Sequence, residues 1–230
     1  MDIVPPFLQH QALAGGLGLH QALVTDLEDP EGQGRVRVRL SGVSEVPGQE
    51  GELWARVCTL FAGNNRGAFW MPDPGDEVLV GFLMGDLRAP IVLGGLWNGR
   101  STSPETLNRD NNLKVVRSRN GNRIVLDDTS GQERVLIETP GGQRITLADG
   151  SPDSITIEDS SGNTVTMGAM GMATDVGLEV RVSCATVKVD AGYVEVNAPI
   201  VKCSAVLKCE TLVASSVISA SYTPGAGNIW

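Results

Sequence analysis

Six carboxylates fall at near-regular intervals through the middle of the chain: Asp127, Asp128, Glu138, Asp149, Glu158 and Asp159. Two acids flanking a glycosidic bond can hydrolyse a polysaccharide, one as general acid and the other as base or nucleophile. These six lie in turns or at strand ends, where solvated acids are expected, so catalysis is the minor reading of them. Other chemistry-bearing residues are sparse. The histidines are His10 and His20, and the four cysteines, Cys58, Cys184, Cys203 and Cys209, form no CxxC pair. No His-Cys-acid cluster points to a metal or a cofactor, and none is expected. The cysteines read as buried free thiols of a reducing compartment. Gly15-Gly16-Leu17-Gly18 lacks the Gly-Lys-Ser/Thr that a phosphate loop requires. No catalytic residue is assigned.

The acids are positioned by a repeat. From Asn122 to Met167 an apolar-x-apolar triplet recurs as Ile124/Leu126, Val135/Ile137, Ile145/Leu147, Ile155/Ile157 and Val165/Met167, starting 11, 10, 10 and 10 residues apart. Asp-Asp, Ser-Gly, Gly-Gly, Asp-Gly and Ser-Pro pairs separate the triplets. Period-2 alternation cut by evenly spaced turn residues predicts short strands, each with one apolar face. The residues between the paired positions, Val125, Leu136, Thr146, Thr156 and Thr166, face the other way. Each strand offers only two or three inward residues, too few for a core of its own, and its edges would invite aggregation. A single-chain solenoid usually needs roughly 18–25 residues per coil. Two of these units make about that length, so a single-chain β-helix stays open. Three chains wound together answer the problem better, each supplying one wall and closure removing the edges.

Gly168, Gly171 and Gly177 interrupt the pattern, and a change of register is expected there. Residues 178–218 resume it more tightly, with Val180/Val182, Val187/Val189 and Val194/Val196 as inward candidates. A six-residue period then runs through Ile200, Val206, Leu212 and Ile218, and Cys203 and Cys209 share one phase of it. Small residues at a narrow axis can interdigitate without voids, so this reads as a tapering shaft.

Upstream, residues 18–97 read as a small Greek-key barrel of five short strands: His20 to Leu27, Arg35 to Leu40, Leu53 to Thr59, Glu77 to Phe82 and Ile91 to Leu96. Arg35, Arg37 and Arg39 share one face, read as a solvated face beside local acids, with contact to an acidic partner as the alternative. Trp54, Phe61, Phe69, Trp70, Phe82 and Trp97 all fall in this region and read mostly as core, with a stacking platform for nucleic acid as the minor reading. The expected organisation is an arm at 1–17, the barrel at 18–97, a linker at 98–112, the shaft at 113–218 and a tip at 219–230.

The chain of 230 residues carries a formal charge of −9. Basic and acidic residues number 7 and 12 in 1–100, 7 and 11 in 101–177, and 4 and 4 in 178–230, so the last zone is neutral overall. An acidic chain is a poor candidate for binding nucleic acid. No apolar run approaches the 18 or so residues of a membrane helix, and the opening residues lack the basic region of a signal peptide.

An ordered set of motifs now carries a resemblance. Asp29-Pro30, Gly34-Arg35-Val36-Arg37-Val38, Trp54-Ala55-Arg56-Val57, Ala62-Gly63, Gly67 and Pro72 come first. Gly75-Asp76-Glu77-Val78-Leu79-Val80, Phe82, Gly85-Asp86 and Pro90-Ile91-Val92-Leu93-Gly94 follow. In these the chain resembles the OB-fold domain of contractile-tail spike proteins. That family holds phage baseplate assembly protein V and the spike half of the valine-glycine repeat protein G of type VI secretion. The resemblance covers about residues 18–170. It implies an all-β homotrimer, with OB domains around a threefold axis and an intertwined triple-stranded β-helix below them.

The function it implies is mechanical: a membrane-puncturing central spike of a phage tail or injection system, not an enzyme. The 17 or so residues before the barrel leave no room for the family's large hub domain, and the short linker none for an inserted lysozyme-like domain. A separate hub protein of the baseplate is therefore an expected partner, with tube and effector cargo also open. Some family spikes hold a metal in clustered tip histidines, and no histidine follows His20. Others carry a conical PAAR-type (proline-alanine-alanine-arginine) tip protein, for which Ser221, Tyr222, Ile229 and Trp230 are the expected docking residues. Trp230 plugging the shaft's own end is the alternative. Synthesis in the cytoplasm, assembly into a phage tail-like baseplate and transient contact with a target membrane complete the expectation. A single-chain polysaccharide-active β-helix and an OB-fold nucleic-acid module are the competing readings.

Overall fold

A computed structural model describes residues 18–42, 51–150 and 153–220. All regular structure in them is β apart from a single 3₁₀ turn at Leu83–Gly85. Strands β1 (His20–Asp26), β2 (Arg35–Leu40), β3 (Glu52–Val57), β6 (Glu77–Phe82) and β7 (Pro90–Gly95) close a barrel in the order β1-β2-β3-β7-β6. Two short strands, β4 (Ala62–Gly63) and β5 (Arg66–Gly67), pair only with each other, as a hairpin outside the barrel.

Alternation built these strands. In β2 the side chains of Val36, Val38 and Leu40 are buried, while the arginines between them face out. The lumen is filled by Ala22, Val24, Ala55, Val78, Val80 and Val92 together with those three. Small side chains fit because a five-stranded barrel has a narrow interior. This overturns the expectation that most of the aromatics are core. Phe61, Phe69, Trp70 and Trp97 are exposed, since they lie on the β4–β5 hairpin and just beyond β7 rather than on lumen-facing strand positions. Phe82 packs against the core and meets the His20 ring edge-on at 5.5 Å. Trp54 lies half-buried beneath the guanidinium groups of Arg35 and Arg37, 6.0 and 5.7 Å from its ring centre.

Strands β8 (Leu113–Arg117), β9 (Arg123–Asp127), β10 (Arg134–Glu138), β11 (Arg144–Ala148), β12 (Ser154–Glu158), β13 (Thr164–Gly168) and β14 (Gly171–Asp175) form one antiparallel meander in chain order. The ten-residue period is thus five residues of strand and about five of turn. The expected break in register at Gly168 and Gly171 does not occur. These two residues pair across a two-residue turn, and β14 extends the sheet.

The chain divides into two units, residues 1–179 and 180–230. Within the second, the described residues 180–220 contain no helix or strand, and all of them are exposed. The strand repeat expected there is not formed within one chain.

Candidate functional site

The meander has two unlike faces. On one, every apolar triplet is in register with the next. Ile124 stands opposite Ile137, and Leu126 opposite Val135. Val135 and Ile137 face Leu147 and Ile145, which in turn face Ile155 and Ile157. Those meet Met167 and Val165. Cross-strand pairs of this kind are the stabilising unit of a sheet. Yet eight of these ten side chains, all but Val135 and Val165, remain 38–46% exposed. A continuous apolar row left open over five strands is far from what a soluble monomer shows, and marks an interaction surface.

The opposite face is polar and better covered. Its middle row holds Leu136, Thr146, Thr156 and Thr166, all half-buried. Beside that row runs a ladder of ion pairs. Arg123 reaches Glu105 at 2.6 Å and Glu138 at 3.1 Å, and Arg144 reaches Glu138 and Glu158, each at 3.6 Å. Opposite charges alternate across strands, which favours this register over a slipped one. Val125, expected to face solvent, is buried on this side, where the segment before β8 folds back and Glu105 pairs with Arg123.

Three turns on one edge share one design. Ser118, Thr139 and Asp159 each donate their N–H to the carbonyl of Asn122, Gln143 and Asn163, four residues on, at 2.9–3.0 Å. Their side-chain oxygens accept the N–H of the same partners at 3.1, 3.3 and 2.9 Å. Gly121, Gly142 and Gly162 occupy the left-handed position before those partners, at φ +90°, +90° and +82°. A turn ending in a left-handed glycine matches the twist of hairpin strands. The signal was readable as Ser/Thr/Asp-x-x-Gly-Asn/Gln, a motif that the ten-residue period alone did not reveal.

Four of the six carboxylates take structural roles. Asp127 accepts hydrogen bonds from the Thr129 hydroxyl (2.6 Å) and amide (3.1 Å) and pairs with Arg134 at 3.2 Å. The Thr129 hydroxyl, then its amide and Arg134, hold that carboxyl below the usual range despite burial. Asp159 is lowered likewise, by the Asn163 side chain first and by turn amides. Glu138 and Glu158 belong to the ladder. A general acid needs a raised pKa, so the surroundings of Asp127 and Asp159 push the wrong way.

The arginines of β2 do meet local acids, but the face is less solvated than expected, with the Arg35 side chain only 13% exposed. Arg35 pairs with Asp29 at 2.8 Å and Glu31 at 3.3 Å, and Arg37 with Asp26 and Glu52, each at 3.2 Å. The four cysteines are free and exposed, not buried as expected. Cys184, Cys203 and Cys209 lie in the segment that has no packing of its own, and Cys58 follows β3 at the barrel rim. Among the described residues no group of three or more His, Cys, Asp or Glu could hold a metal. Ile200, Val206, Leu212 and Ile218 are exposed. Ser221, Tyr222, Ile229 and Trp230 lie outside the described residues.

At the β8 end of the sheet the apolar row opens into a cavity of about 560 Å³, lined by Trp97, Pro104, Leu107, Val116, Ile124 and Leu126 among others.

Comparison with known proteins fits both halves of this geometry. Residues 20–97 match the type VI secretion system/phage-baseplate injector OB domain, and residues 134–202 match the phage baseplate V C-terminal trimerisation domain. The type VI secretion system spike protein VgrG1a of Pseudomonas aeruginosa is 33% identical over 87 residues, covering 37% of this chain and 14% of the relative. VgrG4b of the same organism is 34% identical over 110 residues, covering 44% and 13%. The actin cross-linking toxin VgrG1 of Vibrio cholerae serotype O1 is 31% identical over 104 residues, covering 42% and 10%. The matched stretches thus span only 10–14% of these relatives' length. With the barrel in the first matched region and the open apolar face entering the second, the chain belongs to the family of phage baseplate V and VgrG-type spikes.

Proposed function

We propose that this chain is the structural central spike of a contractile phage tail or injection system and works as a homotrimer. The observation that carries the reading is the open apolar row of the meander, together with the trimerisation-domain match that begins at Arg134. Three copies turning this row to a common axis would bury Ile124, Leu126, Val135, Ile137, Ile145, Leu147, Ile155, Ile157, Val165 and Met167. Completing the burial of each half-exposed side chain is worth on the order of 1 kcal/mol, repeated three times per layer. The ion-pair ladder and the threonine row then form the outer surface.

Such a prism is suited to force. Bending it would break packing and strand hydrogen bonds in all three chains together, whereas a reactive side chain adds nothing to a puncturing rod. In the second unit the exposed Ile200, Val206, Leu212 and Ile218 are read as side chains that further copies cover. The neutral balance of 178–230 leaves fewer net charges to desolvate on entering a bilayer. The engagement of Asp127, Glu138, Glu158 and Asp159 in turns and ion pairs supports our reading of the protein as non-enzymatic. Its action within a type VI-like baseplate, with a hub protein at the barrel and a PAAR-type tip protein meeting Ser221, Tyr222, Ile229 and Trp230, rests on the family resemblance.

Two measurements test this. Sedimentation equilibrium of the full chain at micromolar concentration should give three times the 24.3 kDa chain mass; a folded monomer refutes the trimer. Particles from a strain lacking the chain should be missing their central spike and fail to deliver cargo. Normal delivery by those particles refutes the function.

A further inference from the structure

The barrel carries an apolar knob left uncovered by the other described residues. Leu60, Phe61, Phe69 and Trp70 are 61–91% exposed on and beside the β4–β5 hairpin. The hairpin is a built feature. The Ala68 amide donates to the Phe61 carbonyl at 3.1 Å, and the Thr59 hydroxyl donates to the Ala68 carbonyl at 2.5 Å. A Cβ at Gly67 would stand 2.9 Å from the Phe61 carbonyl oxygen, so the two strands approach as closely as backbone can. Solvent-exposed aromatics held in a fixed frame need an explanation of the kind that interfaces supply.

The cavity beside Trp97 has the complementary shape and chemistry. Its 560 Å³ is several times the ~150 Å³ that accommodates a benzene ring in an engineered protein cavity. It therefore has room for more than one aromatic ring. It is continuous with the apolar row, because Ile124 and Leu126 belong to both.

Knob and groove also share a level. β3 and β7 run parallel, with Arg56 beside Ile91 and Val57 beside Val92, and the Cys58 amide donates to the Val92 carbonyl. The chain leaving β3 for the hairpin therefore heads the same way as β7, which ends just before Trp97. Three residues after Trp70, Asp73 pairs with Arg119 of the β8–β9 turn at 2.9 Å. Both surfaces thus lie at the end of the barrel where the sheet begins. Rotation about a threefold axis moves nothing along that axis, and each interface of a ring joins two different patches, one from each neighbour. A knob and a groove at one level meet that condition.

We infer that the aromatic knob at Phe61, Phe69 and Trp70 of one copy seats in the Trp97–Leu107–Ile124 groove of the next copy, locking the barrels to the shaft around the ring. This rests on the trimer reading above and specifies a contact that reading does not require. The knob covers Trp97 and Leu107, which the apolar row alone would leave open.

Site-specific photocrosslinking tests it on the full chain. p-Benzoylphenylalanine replaces Phe69 in one variant and Leu107 in a second, and the native mass of each is measured before irradiation. In a trimer, the Phe69 probe should give covalent chain-to-chain products whose cross-linked peptides fall within 97–126. The Leu107 probe should land within 60–70 of another copy. If one variant does not assemble, the other decides. A trimer whose probes give no chain-to-chain product, or products at other segments, overturns the knob-in-groove contact and leaves the knob to a different protein such as the hub. A native monomer of the unsubstituted chain overturns the trimer reading itself, and this contact with it.

Discussion

Ile145 and Ile157 stand directly opposite each other across β11 and β12, 38% and 46% exposed, while their neighbours Thr146 and Thr156 pair on the other face and are half-buried. Exposure in the single chain is thus the reverse of hydropathy. Only burial by further chains restores the ordinary order. Ile145→Asp would bring three carboxylates near one axis, each desolvated and repelling the others, at several kcal/mol in total. The expected outcome is loss of the trimer. Thr146→Asp lies beside Arg144 and Glu158 on the polar side and should change stability by no more than about 0.5 kcal/mol. Equal assembly of the two variants, compared by sedimentation, would reverse the assignment of faces.

The turn glycines allow a paired test. Gly142 sits at φ +90°, and a Cβ there would approach the Ser160 Cβ to 3.3 Å. Gly141, next to it, has no such φ, and its nearest neighbour to an added Cβ is the Thr139 hydroxyl at 3.9 Å. Gly142→Ala should lower stability by on the order of 1 kcal/mol per chain, from left-handed strain. Gly141→Ala should be close to neutral. Thermal melting of the assembled protein compares them, and indistinguishable midpoints would mean that the turn is not built as described.

Period and register were legible in the sequence because the triplets recur at ten residues after a first step of eleven, so one rule placed Ile124 through Met167 on one face. The strands β2 and β6 were equally plain, since Arg35 to Leu40 and Glu77 to Phe82 each bury alternate residues. The aromatics misled because hydropathy says that Phe69 and Trp70 prefer to be buried, not by what. Their cover is not in the narrow lumen, and no pattern within one chain distinguishes a core residue from one awaiting a second copy. The same limit hid the fate of the cysteines and of 180–220, whose apolar period needs partners that one chain does not supply. Gly168 and Gly171 failed for another reason: a glycine pair marks a tight turn as readily as a break, and spacing alone does not choose between them.

Acid should loosen the barrel through Asp29. Its carboxylate takes Arg35 Nη2 at 2.8 Å and the amides of Glu31, Gln33 and Arg35 at 3.1, 2.8 and 3.2 Å. The Arg35 side chain, then these amides, hold its pKa far below the ordinary value. A carboxyl lowered in the folded state binds fewer protons there than when unfolded. Its stabilisation is therefore complete above the unfolded value of about 3.9 and is lost as pH falls toward the folded one. Denaturant midpoints of the chain should be flat from neutral pH to about 4 and decline below it. Asp29→Asn should lower the plateau and flatten the decline, with a residual slope from Asp86, Asp127 and Asp159, which are lowered too. An Asp29→Asn variant with an unchanged slope would remove Asp29 from the account.

Amide hydrogen exchange separates what one chain folds from what assembly folds. In the barrel, the amides of β1, β2, β3, β6 and β7 pair within the chain. Residues 180–220 form no strand ladder within the chain and are exposed throughout. Backbone amides removed from water must find partners. If Val206, Leu212 and Ile218 pack on the trimer axis, the amides around them must pair with other copies. Exchange over 180–218 should then be slow in the assembled protein, approaching that of β9 to β12, and fast in the unassembled Ile145→Asp chain. The barrel should stay protected in both, because local stability follows local hydrogen bonding and burial. Slow exchange over 180–218 in the unassembled chain would mean that this segment folds alone. Fast exchange in the intact trimer would mean that the axis ends with the meander, and that Ile200, Val206, Leu212 and Ile218 are not core.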